Sequence, residues 1–326
     1  VTGLNGSLHS YFLKEFAGAS YAKWIQSYKY TASGYSSKAV QGENLPENNG
    51  LSASRNIVVI VPGEREALAL RTDLNTVFEE AQVFILPSWG TLTYRPATPG
   101  TITFGQRAGV FARMAFRETS AADAMKFAPR IFIIPQRVMQ TPAPSPEYIK
   151  SLCFSLSVGQ QIDTVKTAEK LTSIGYTRVP RVSVRGEFSL RGEVLDIFLP
   201  ESEDAVRIIF DFDTIEKIKT FDVENQTTSS SVNSVLIYPM KEVIWNETLI
   251  AKLEEKLSDS ETVSAEKTDE NQISETENAP RLAFTEEAKK ARKKLLEELK
   301  TTGQSEGEEL FYPALWDKNY TVFDYI

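Results

Sequence analysis

The run Thr141-Pro142-Ala143-Pro144-Ser145-Pro146 constrains this chain more than any other feature. Proline offers no amide N–H and clashes with a preceding helical turn. Three of them so close together can continue neither a helix nor a central strand. The sequence changes character at this point. Before it, short β-branched runs alternate with helical patterns. Ile57 to Val61 predicts a strand covered on both faces. Leu70, Leu74, Val77 and Phe78 form the buried stripe of the helix that follows. Val83 to Leu86 predicts a second buried strand, residues 105–117 a helix with Val110, Met114 and Phe116, and Ile131 to Ile134 a third strand. That rhythm belongs to a parallel α/β sheet.

After the prolines, one helix is predicted from Asp163 to Ile174, with Asp163 as N-cap and Gly175 as its stop. Only strands follow: Val179–Val184, Phe188–Leu190, Val194–Phe198, Val206–Phe212, Ile215–Phe221 and Val235–Tyr238. Short connections make this an antiparallel α+β domain. Beyond Glu242 the chain turns helical and polar. Residues 258–280 are acidic and nearly free of apolar side chains, which predicts a flexible loop. Thr285 then caps a helix whose stripe is Ala288, Ala291, Leu295 and Leu299. The aromatic end, Leu310 to Ile326, is expected to pack back on a core, and Tyr320 to Ile326 reads as strand-like.

Length and charge bound the possibilities. The 326 residues suggest two or three domains. The net charge of -8 makes DNA a poor default partner, since phosphate neutralisation supplies most nucleic-acid affinity. No apolar run approaches a membrane span and no secretory signal is visible. The single cysteine, Cys153, fits a reducing cytoplasm and sits in an apolar run, as a buried inert thiol would. The chain starts without Met, which points to a piece of something longer.

Two stretches bear on chemistry. The first is Gly3-Leu4-Asn5-Gly6-Ser7-Leu8-His9-Ser10. Laid on a phosphate-binding loop, Gly3, Gly6, Ser7 and the Ser10 hydroxyl fall in place. Leu8, however, replaces the last glycine and His9 replaces the lysine. A neutral imidazole is a poor substitute for a constitutive ammonium. His9 as a metal ligand lacks any cysteine cluster to support it. The expectation is a former nucleotide loop that no longer hydrolyses ATP. The second stretch, Arg185-Gly186-Glu187-Phe188-Ser189-Leu190-Arg191-Gly192-Glu193-Val194-Leu195-Asp196-Ile197-Phe198, predicts two strands around a bend. By itself it serves either as a hairpin with solvated charges or as a functional arginine patch.

An ordered series of motifs joins these stretches. It runs through Ser88-Trp89-Gly90-Thr91-Leu92-Thr93-Tyr94, Gln106-Arg107, Ile133-Ile134-Pro135-Gln136-Arg137, Gly175-Tyr176-Thr177-Arg178-Val179, Gly186 to Phe198, and Ile215 to Asp222 with Gln226. The series resembles the N-terminal module shared by the excinuclease protein UvrB and bacterial transcription-repair coupling factors, over nearly the whole chain. Three domains are implied. The first is a degenerate RecA-like parallel-sheet domain at 1–145, to which about 310–326 return. The second is an inserted antiparallel α+β domain at 146–243 that docks the excinuclease protein UvrA. The third is a small helical, acidic-loop subdomain at 244–326.

The resemblance places the UvrA contact on two arginines, matching Arg191 and Arg207, and on an aromatic. The aromatic position falls on Asp211, so Phe210 or Phe212 would have to stand in for it. The bland alternative pairs each arginine with Glu193, Glu187 or Asp196. The resemblance implies no cofactor for this chain. ATP and Mg²⁺, RNA polymerase and double-stranded DNA belong to downstream domains of a DNA translocase. The competing expectation is a UvrB-type damage-recognition ATPase.

Overall fold

The computed structural model describes residues 9–15, 56–78, 82–90, 100–116, 130–266 and 286–326. Residues 9–15 form helix α1. Strand β1 (Asn56–Val61), helix α2 (Glu64–Val77), strand β2 (Gln82–Ile85), helix α3 (Thr101–Ala115) and strand β3 (Arg130–Pro135) follow. The three strands form a parallel sheet in the order β1-β3-β2. The central place goes to β3, and all six of its residues are buried. Its alternate side chains serve two cores. Ile131 and Ile133 face Ala67 and Leu74 of α2, whereas Phe132 and Ile134 join Val110, Phe111 and Met114 of α3. The expectation that Ile57–Val61 is covered on both faces needs correction. Among the described residues β1 has one strand neighbour, and Ile60 is half exposed. In α1, Phe12 is exposed while Leu13 packs on the α2 core.

The proline run does what proline chemistry requires. Ser145 caps a short helix, α4 (Pro146–Leu152), with Pro146 at its first position. Strand β4 (Phe154–Ser157) then pairs with a much later strand, β11 (Ser234–Ile237). Helix α5 (Thr164–Ser173) starts as predicted: Asp163 Oδ1 accepts from the Val165 and Lys166 amides at 3.0 Å each. Strands β5 (Thr177–Arg178), β6 (Glu187–Arg191), β7 (Val194–Ile197), β8 (Ala205–Asp211), β9 (Thr214–Phe221) and β10 (Thr228–Val232) form one sheet in the order β10-β9-β8-β7-β6-β5. It is antiparallel throughout except where β5 meets β6.

Residues 179–184, expected as a strand, are not one. Pro180 interrupts the ladder, and the segment instead crosses the sheet, burying Val182 beside Phe198, Ala205 and Phe221. The opposite sheet face, carrying Phe188, Leu195, Ile197, Ile208, Phe210, Ile215 and Ile218, shares one core with α3, α5 and β3.

Helices α6 (Glu247–Glu266) and α7 (Glu286–Thr302) pack with a 3₁₀ turn at Glu308–Leu315 around Leu253, Leu295, Leu299, Tyr312 and Leu315. The acidic stretch is therefore helical as far as Glu266. It extends the helix that Leu249, Lys252, Leu253, Glu254 and Leu257, all good helix formers, establish before it. Leu296, not the exposed Ala291, completes the α7 contact. Thr285 lies outside the described residues. The expected terminal strand is a 3₁₀ turn, Val322–Tyr325, closed by reciprocal bonds between Thr321 and Asp324. Tyr325 packs against Phe111 of α3 with tilted rings, centroids 4.7 Å apart, and donates to the Pro144 carbonyl at 2.9 Å. No described helix is long and apolar enough to cross a membrane.

Candidate functional site

Glycines set the geometry of the double Arg-Gly stretch. Gly186 (φ +87°) precedes β6, and Gly192 (φ +55°) makes the tight turn from β6 into β7. Only glycine adopts such angles without strain. The resulting register puts Ser189, Asp196, Arg207 and Lys219 in one row across β6 to β9. A neighbouring row holds Arg191, Val194, Ile209 and Lys217. Strand side chains alternate, so both rows share the face opposite the core.

Asp196 is the centre of this face. Its side chain is only 3% exposed, on a sheet face that the 179–184 segment covers in part, burying Ser189 of the same row. A buried carboxylate needs partners, and two arginines supply them unequally. Arg207 Nε and Nη2 bind the Asp196 oxygens at 2.7 and 2.9 Å. Arg207 Nη2 also donates to Gln226 Oε1 at 3.0 Å, and the guanidinium lies 4.3 Å from the Phe221 ring centroid. The Asp196 hydrogen bond raises the Arg207 pKa further above its ordinary value. Arg191 touches Asp196 through Nη2 at 3.4 Å alone, and its side chain is 55% exposed. One arginine is clamped and the other is nearly free. Lys217 is exposed and pairs with its neighbour Glu216; Lys219 is half-buried.

The remaining candidates separate. Phe210 lies in the core, 2% exposed, so it cannot be a surface contact; strand alternation turns it away from Arg207. Asp211 is exposed at the end of β8, opposite Thr214. Phe212, in the two-residue turn into β9, is 83% exposed at φ +52°, an angle that costs a bulky residue conformational energy. Glu187, offered as an arginine partner, instead accepts from the Ser183 and Val184 amides. Glu193 is exposed, and Arg185 donates to the Ser202 carbonyl.

The sequence patterns assign no role to Gln226, Phe221, Lys217 or Lys219. Asp196 does carry a signal, an acid inside the apolar run Val194–Phe198. A charge in such a run is buried only if paired. Of the phosphate-loop residues, Gly3, Gly6 and Ser7 lie outside the described residues; His9 is exposed and Ser10 buried in α1. Burial pushes the Cys153 thiol up to about 12, which leaves it protonated and unreactive near neutral pH.

A second arginine–carboxylate pair lies inside the molecule. Arg107 of α3 and Glu242, which follows β11, are both fully buried and hydrogen-bonded to each other through two guanidinium nitrogens. Trp89 Nε1 donates to the same carboxylate at 2.8 Å, and Arg107 Nη1 donates to the Pro87 carbonyl at 2.7 Å. Trp89 in turn meets Tyr312 edge-on at 6.0 Å. This network joins the parallel sheet, the antiparallel unit and the helical unit.

Comparison with known proteins follows the same division. The UvrB interaction domain family model matches residues 154–243, the segment that holds the six-stranded sheet and the β4–β11 pair. The transcription-repair-coupling factor of Mycobacterium tuberculosis (strain CDC 1551 / Oshkosh) is 31% identical over 199 residues, covering 60% of this chain and 16% of that protein. That of Bacillus subtilis (strain 168) is 29% identical over 212 residues, 65% of this chain and 17% of the relative. The UvrABC system protein B of Kosmotoga olearia is 40% identical over 102 residues, 31% of this chain and 15% of the relative. The chain thus spans about a sixth of the length of the relatives it matches. With a match to the UvrB interaction domain at residues 154–243 and a likeness that extends beyond that segment, the chain is similar to the N-terminal UvrB-like modules of transcription-repair coupling factors.

Proposed function

We propose that the outward face of the six-stranded sheet docks UvrA, and that the chain is a recruitment module of transcription-coupled nucleotide excision repair. One observation supports this reading above the others. Arg191 and Arg207, on strands separated by β7, converge on one face around a buried acid, within the segment that matches the UvrB interaction domain. Arginine suits such a contact, because its planar fork binds carboxylates bidentately and it is enriched at interface hot spots. The first unit reads as a degenerate RecA-like domain with no cofactor and no catalysis of its own, because Leu8 and His9 stand where a nucleotide loop needs glycine and lysine. ATP-driven translocation, and contacts to RNA polymerase and duplex DNA, belong to the rest of a full-length factor.

The cleanest test is Arg191→Glu. Arg207→Glu would set a second carboxylate beside buried Asp196 and confound docking with folding. Arg191→Glu should abolish UvrA capture without moving the melting temperature; capture that persists would misassign the face. The 40% identity to a UvrABC system protein B favours a second reading, a UvrB-type damage-recognition ATPase. A DNA-stimulated ATPase assay separates the two, and docking predicts no activity above background.

A further inference from the structure

Gln226 occupies a position that its backbone does not favour. It ends the turn after β9, where the Asp222 carboxylate accepts from the Glu224 and Asn225 amides and the Gln226 amide donates to the Asp222 carbonyl at 2.9 Å. Its φ is +60°, the left-handed region that glycine enters freely and a side chain enters at a cost. The turn alone would be better served by glycine. The side chain does something else. Its Nε2 donates to the Val223 carbonyl at 2.9 Å, which orients the amide and aims Oε1 at Arg207 Nη2, 3.0 Å away.

Arg207 is thereby held from three sides. Asp196 takes Nε and Nη2, Gln226 takes Nη2 again, and the Phe221 ring supports the plane. Nη1 makes no hydrogen bond among the described residues, and about a quarter of the side chain (24%) stays exposed. Resting on the docking reading above, we infer that Gln226 is a positioning residue. It locks the Arg207 fork so that Nη1 is presented, already oriented, to a carboxylate side chain of the docked partner. A fork fixed before binding loses less rotational freedom when the partner arrives.

The test is calorimetric titration of UvrA into the 326-residue chain, alongside thermal denaturation. Gln226→Gly frees the guanidinium and relaxes the turn. Its Kd should rise about tenfold, the size of one charge-assisted hydrogen bond, while the melting temperature holds or increases. An Arg207→Lys background supplies the control. A lysine there keeps the charge but cannot bridge Asp196 and Gln226, so adding Gln226→Gly should change Kd by less than about twofold, as for an uncoupled pair. An unchanged Kd for Gln226→Gly, with wild-type binding intact, overturns the inference and leaves docking standing. Parallel losses of melting temperature and affinity overturn it too, because the side chain would then be serving the turn. No binding by the unmodified chain sinks the docking reading and this inference together.

Discussion

Arg107 and Arg191 both lie against a carboxylate, and they illustrate opposite uses of the same chemistry. Arg107 and Glu242 are entirely buried, and every element that meets there adds a bond or a ring: Trp89, Pro87, Phe111. Nothing of that guanidinium is left for a partner. Arg191 is more than half exposed and keeps one long contact to Asp196, which Arg207 already satisfies. A partner carboxylate can draw Arg191 away at little cost. The difference lies in how the carboxylate is covered. Glu242 is enclosed by three units of the fold, whereas Asp196 is paired by arginines of its own sheet, one of them bonded to Gln226 of the adjoining turn. Arg207 stands between the extremes, clamped yet partly exposed.

Mutations should widen or close this contrast. The largest effect is expected from Arg107→Leu, which strands Glu242 without a cation inside the core. Losing one partner of a buried pair costs about 3–5 kcal/mol, readable in urea unfolding; a loss below about 1 kcal/mol would put Arg107 in the same class as Arg191. Gly109→Ala strikes the same junction sterically. A Cβ there would lie 2.7 Å from the Tyr238 ring, so overpacking of roughly 1–3 kcal/mol is expected in the same assay. Tolerance of the alanine would show that α3 and the antiparallel unit are less tightly joined than the Arg107 network suggests. Arg207→Ala should cost somewhat less, about 1–3 kcal/mol offset in part by Arg191, which is near enough to move onto Asp196. Arg191→Ala should fall within about 0.5 kcal/mol of wild type, and equal losses for the two arginines would erase the distinction drawn between them.

Much of the architecture is legible in the amino-acid sequence. The proline run marks the change of architecture, the apolar runs locate β2, β3 and most of the antiparallel strands, and Asp163 caps its helix as expected. The expectations that failed did so for physical reasons. Strand β10, Thr228 to Val232, is exposed along nearly its whole length and so has no apolar alternation to read. Residues 179–184 resemble a strand by composition, but Pro180 turns them into a strap across the sheet. Phe210 and Phe212 cannot be told apart in sequence, because their fate depends on register and on a turn with positive φ. The Arg107–Glu242 pair spans 135 positions, a separation that no local pattern encodes. Arg191 and Arg207 stand out by motif resemblance. The asymmetry between them comes from Asp196 and Gln226 and appears only in three dimensions.

In the proposed docking, a nearly free arginine on this face, Arg191, makes the contact with UvrA. That contact is tested most directly by measuring UvrA affinity and melting temperature for Arg191→Glu side by side. Binding should be lost while the melting temperature stays within a degree or two of wild type, as expected for an exposed substitution. Full-strength binding by Arg191→Glu would contradict the docking.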